Sequence, residues 1–73
     1  MNGFQMLAQA IVMQAVTDYR RAMRDLIVFP GDGSAYRMKE DCERFFRSKW
    51  FLDLSGLDGE YIIRRLEREV RKK

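Results

Sequence analysis

The chain has no histidine, one cysteine, one proline and no charged side chain before Asp18. Each shortage closes a class of answer. Without an imidazole there is no Ser-His-Asp relay and no histidine-bearing hydrolytic zinc site. A single thiol, Cys42, makes no internal disulfide, and without histidine beside it a structural zinc site is excluded. Long apolar runs are also missing. A membrane span needs about 20 mainly apolar residues, whereas residues 1–17 are interrupted by Gln5, Gln9 and Gln14. No basic residue precedes that stretch, so it does not read as a secretory signal. The expectation is a soluble cytoplasmic protein with no membrane partner, and a free thiol agrees with a reducing compartment.

What is present fits one small helical domain. The 73 residues are 47% hydrophobic and 34% charged, a globular rather than a disordered balance. A domain this short has a small core and gains from idealised helix packing or from oligomerisation. The formal charge is +3. Residues 18–34 and 35–58 are each neutral, so the whole excess lies in residues 59–73. A basic end attracts nucleic acid, nucleotides or an acidic protein face. It equally suits a solvated helix terminus, where cations complement the dipole.

Periodicity predicts an all-α fold of three helices, about 3–27, 34–47 and 58–70, with a short helical turn at about 48–54. In the first helix Val12, Val16, Tyr19, Met23 and Leu26 follow heptad spacing. Phe4, Ala8, Ile11 and Ala15 repeat the rhythm on a neighbouring face. A helix apolar nearly all round must be covered nearly all round. The remaining chain is short for that task, so a homo-oligomeric bundle is expected, with Phe4, Leu7, Ile11, Val12 and Val16 at its interface. The alternative is a central helix wrapped by its own partners.

Pro30 ends the first helix, and Gly31 and Gly33 offer positive φ for the turn. Their spacing matches neither phosphate-loop pattern. Ser34 is the expected N-cap of the second helix, with Met38, Cys42, Phe45 and Phe46 as its apolar stripe. Cys42 on that stripe reads as a small core residue. Ser48 caps the short turn and Gly56 ends it. Of the four clustered aromatics, Phe45 and Trp50 are expected in the core, and Phe46 or Phe51 at an intersubunit contact. The last helix opens at Asp58, with Ile62 or Ile63, Leu66 and Val70 inward. Glu40–Arg44, Glu43–Arg47, Glu60–Arg64, Glu67–Arg71 and Glu69–Lys73 are i,i+4 pairs in the favourable order.

The segments Asp18-Tyr19-Arg20-Arg21-Ala22, Glu43-Arg44-Phe45-Phe46-Arg47-Ser48-Lys49-Trp50-Phe51 and Leu57-Asp58-Gly59-Glu60-Tyr61-Ile62-Ile63-Arg64 are distinctive. Together they resemble short helical proteins encoded in phages and prophages of Gram-positive bacteria. The likeness covers most of the chain and departs at the glycine-proline connector. It carries over no functional residue. It implies a phage accessory protein acting inside a bacterial host cell, where such proteins often bind and block a component of host defence.

No catalytic residue, cofactor or metal ligand is expected, because caps and helix pairs account for most carboxylates. The first expectation is an anti-defence binder that sequesters an anionic nucleotide or blocks a host defence protein. Its candidate ligands are Arg20, Arg24, Arg47, Arg64, Arg65 and Arg68, gathered from several subunits, with Tyr19 or Trp50 as an aromatic face; arginine grips phosphate through its planar fork. A second expectation is a small DNA-binding regulator, with Leu54 to Leu66 a turn and recognition helix presenting Arg64, Arg65 and Arg68. A third is a structural accessory of the virion.

Overall fold

The computed structural model describes residues 3–71, with side chains given for all of these except residues 4 and 5. It contains α1 (Gly3–Val28), α2 (Gly33–Phe46), α3 (Lys49–Ser55) and α4 (Gly59–Arg71), and no strand among the described residues. No described helix is long and apolar enough to cross a membrane. Helix α1 is the spine. At 1.5 Å per residue its 26 residues extend about 39 Å, close to the 41 Å long axis of the molecule. The other three helices lean on it.

The α1–α2 corner is a tight turn in which the Asp32 amide donates to the Phe29 carbonyl at 3.0 Å. Pro30 holds the second position of that turn, where its fixed φ belongs. Neither Gly31 nor Gly33 adopts positive φ, contrary to expectation; this turn does not require it. The N-cap is Asp32 and not Ser34: its carboxylate accepts from the Ala35 amide at 3.1 Å. The chain then returns antiparallel, so that Ala22 and Ala35 line one shared depression and Ala15 and Cys42 another. Ser48 caps α3 by accepting from the Phe51 amide at 3.1 Å. Gly56, at φ 71°, closes α3 in the left-handed conformation that glycine adopts without a Cβ penalty. Asp58 accepts from the Glu60 amide as α4 begins. Gly59 lies against the Phe46 carbonyl, where α4 meets the end of α2.

All four helices feed one core: Tyr19 and Met23 from α1, Cys42 and Phe46 from α2, Phe51 from α3, Ile63 and Leu66 from α4. Phe46 packs edge-on against both Tyr19 and Phe51, with ring centroids 5.7 and 5.3 Å apart, a geometry that adds about 0.5–1.5 kcal/mol per pair beyond area burial. The aromatic expectations are therefore inverted. Phe46 and Phe51 are both interior, while Trp50 is 56% exposed and Phe45 is only partly covered. The cause is the phase of α2, which turns Ala35, Cys42 and Phe46 inward and leaves Met38 exposed. The break at Arg47-Ser48 then restarts the helix so that Phe51, not Trp50, points to the centre.

The chargeless half of α1 is not enclosed. Met6 and Leu7 are each 60% exposed and Met13 57%. Of the residues expected at a subunit interface, Val12 and Val16 pack instead against the chain's own core. Leu7 is exposed, Ile11 is half-buried, and the Phe4 side chain lies outside the described residues.

Candidate functional site

Two polar arrangements stand out, one inside and one outside. The inner one joins three helices. The Tyr19 hydroxyl donates to Glu43 Oε2 at 2.7 Å, and Lys39 Nζ donates to the same oxygen at 2.7 Å. Arg47 Nη1 lies 3.9 Å from the other Glu43 oxygen, and Arg47 Nε bonds Glu60 of α4. A fully buried tyrosine needs a partner for its hydroxyl, and Glu43 provides it. Tyr19 has no exposed surface and cannot offer an aromatic face to a ligand, which corrects that expectation. Its place on the heptad seam already pointed inward.

Burial sets the chemistry of these groups. For Glu43, burial pushes its pKa upward, but hydrogen bonds from Lys39 and Tyr19 and the charges of Lys39 and Arg47 together hold it below the ordinary 4.5. For Tyr19, burial and then the Glu43 carboxylate push the phenol well above its ordinary 10.0. Burial, with help from Asp18, Asp41 and Glu43, raises the Cys42 thiol from 9.0 to about 11. A depressed carboxylate contributes stability that is present above its unfolded value and lost as pH falls through its folded value. Raised phenol and thiol values contribute stability present below their unfolded values and lost as pH climbs past them. The melting temperature is therefore expected to be flat between pH 4.5 and 9.0 and to fall on either side. Circular-dichroism melts from pH 3 to 11 would check this; Glu43→Gln should lower the plateau and make the acid limb shallower. An acid limb unchanged in that variant would place the acid sensitivity in other carboxylates.

The outer arrangement is a ridge on α4. Ile63 and Leu66 face the core, so helical spacing turns Tyr61, Arg64, Arg65, Arg68 and Arg71 away from it, and all five are exposed. Arg65 donates to the Tyr61 hydroxyl at 3.3 Å and sits 3.9 Å from Glu69. Arg64, Arg68 and Arg71 make no ion pair among the described residues. The i,i+4 pairs expected for Glu40–Arg44, Glu60–Arg64 and Glu67–Arg71 are not formed there either. Glu60 pairs with Arg47, Arg44 with Asp41, and Glu69 with Arg20 at 3.0 Å. Two of the three α4 carboxylates, Glu60 and Glu69, reach across to Arg47 and Arg20, and the four arginines of the helix leave the ridge positive. Glu69–Lys73 lies outside the described residues.

The remaining candidates scatter. Arg20 is tied to Glu69, and its Nε is buried without an acceptor among the described residues. Arg24 opens with Arg20 and Arg71 into a cleft of about 670 Å³ at the C-terminal end of α1, beside Ile27, Val28 and Val70. Arg47 belongs to the inner network. Trp50 packs edge-on against Phe45 at 5.6 Å, beside the middle of α1 and outside that cleft. One subunit thus does not bring the expected ligand set to one place. No group of three or more metal-ligating side chains occurs among the described residues. Comparisons with known protein families, with curated proteins and with solved structures find no match.

Proposed function

We propose that this chain is a small non-enzymatic binding protein whose ligand is the phosphate backbone of nucleic acid, taken along the outer ridge of α4. The observation that carries the reading is the row of exposed guanidinium groups at Arg64, Arg68 and Arg71, which form no ion pair among the described residues. From Arg64 to Arg68 the helix rises about 6 Å, and two phosphate steps along a strand advance about 6.8 Å. The row matches an extended polyanion better than a compact one. Tyr61 beside it supplies a ring on which a base or sugar can pack.

This is backbone binding, not base reading. A helix-turn-helix unit packs its two helices together to aim the second into a groove. Here α3 and α4 both rest on α1 and α2 but hardly touch one another. The turn-plus-recognition-helix version of the DNA reading lacks that packing.

The test is fluorescence anisotropy with a labelled 20-base-pair duplex and the matching single strand. Three phosphate contacts give a log–log salt slope of about −2.7, so affinity should fall about 40-fold from 50 to 200 mM salt. Arg64→Glu with Arg68→Glu should abolish binding while leaving helicity intact, since both side chains are exposed. Binding that ignores salt, or survives the double substitution, would refute the ridge.

A second reading keeps the anti-defence role implied by the phage resemblance. Its support is the cleft where Arg20, Arg24 and Arg71 outnumber Glu69 beside apolar Ile27, Val28 and Val70, a surface suited to a nucleotide. Calorimetric titration with cyclic and adenosine nucleotides discriminates. Micromolar nucleotide binding lost in Arg24→Glu but kept in the α4 double variant would move the site to the cleft.

A further inference from the structure

A groove of about 470 Å³ runs between α1 and the α2–α3 corner, floored by Ala15 and Cys42 and walled by Ile11, Met38, Phe45 and Trp50. We infer that it seats the N-terminal half of α1 from a second copy of this chain, giving an isologous antiparallel dimer.

Three observations point to that occupant. The first is area. A folded monomer of 8.7 kDa is expected to expose about 4700 Å², whereas this chain exposes 5674 Å². The excess, about 950 Å², is spread over the whole surface and is large enough to include the roughly 800 Å² that each partner buries in a standard interface. The second is self-complementarity. Donor and acceptor surfaces lie on the same helix: exposed Leu7 is one turn before groove-lining Ile11. A two-fold contact requires one patch that fits itself. In a pairing centred on Ile11, Leu7 of each copy meets Ala15 of the other.

The third is charge. The polar groups on the groove are Gln14, Asp18 and Asp41; Arg44 pairs with Asp41, while Asp18, among the described residues, accepts only from the neutral Gln14 amide and keeps its negative charge at that end. In the same pairing the start of one α1 reaches the level of Asp18 on the other. That helix end carries the positive pole of the macrodipole and has no acidic residue in its first turn. The intervening residues through Thr17 have no charge to desolvate. The arrangement leaves both α4 ridges free, because α4 meets α1 near Arg20 and Ile27, beyond the paired half.

Light scattering coupled to gel filtration, run from about 5 to 200 µM, reads the mass directly; the dimer should appear at about 17 kDa. Leu7→Asp should give a monomer with unchanged helicity, since Leu7 is exposed within the subunit. Met13→Glu, on another face of α1, should remain dimeric. Trp50 is the only tryptophan; its emission should shift to shorter wavelength as concentration rises in the wild type and stay unshifted in Leu7→Asp. A wild-type monomer throughout the range, a dimer that survives Leu7→Asp, or one lost in Met13→Glu would each overturn the inference. So would a dimer whose Trp50 emission does not respond.

Discussion

Gly59→Ala is expected to leave the chain largely unfolded at 25 °C. A Cβ at this position would sit 1.7 Å from the Phe46 carbonyl oxygen and 2.6 Å from its carbon. Both atoms are backbone at the end of α2, so no side-chain rotation relieves the clash. Helix α4 would have to back away, drawing Ile63 and Leu66 off Phe46. Overpacking ordinarily costs about 1–3 kcal/mol and more where nothing can yield. A core of this size supplies about 3–5 kcal/mol in all, so a backbone clash costing more than the ordinary ~1–3 kcal/mol cancels it. The control is Gly33→Ala, whose Cβ would meet nothing within 4 Å in a helix; it should melt at or slightly above the wild-type temperature. If Gly59→Ala melted like the wild type, α4 could not rest on α2 in this manner.

Phe46→Ala should be comparably severe. The ring is 1% exposed and contacts Tyr19, Phe45 and Phe51 at edge-to-face or tilted angles. Removing a buried phenylalanine costs about 3–5 kcal/mol, equal to the whole expected stability. Trp50→Ala, by contrast, removes a side chain that is more than half exposed and should cost about 1 kcal/mol or less in the monomer. Urea titrations followed by far-ultraviolet circular dichroism would rank the two, and the reverse order would mean that the interior is built around Trp50 after all.

That ranking marks where sequence reasoning ran out. Helix positions were readable because capping and breaking residues are local: Pro30, Ser48, Gly56 and Asp58 each act on their immediate neighbours. Tyr19 and Met23 were legible as a seam because heptad spacing survives without knowledge of the partner. The choice among Phe45, Phe46, Trp50 and Phe51 was not local. It depends on the rotation of α2 against α1, and on how far the break at Arg47-Ser48 turns α3. Charge pairing followed the sequence at Glu43–Arg47 and departed from it elsewhere for the same reason. Glu60 and Glu69 have arginines four residues away or nearer on their own helix, yet geometry brings Arg47 and Arg20 within reach from elsewhere. The α4 ridge was visible as basic residues, but that Arg64, Arg68 and Arg71 form no ion pair among the described residues emerges only once Glu60 and Glu69 are seen to reach Arg47 and Arg20. The bond between Tyr19 and Glu43, 24 positions apart, left no trace in any short window.

Because α3 and α4 both lean on the α1–α2 pair and scarcely on each other, the domain is a hairpin carrying two leaves that share one core. Either leaf can lift while the other stays seated. The seven-residue leaf has the weaker hold, anchored by one buried ring, Phe51. Its departure would bare Phe46 and remove Trp50 from the wall it completes, whereas the arginine-bearing leaf would keep its contacts with α1 and α2.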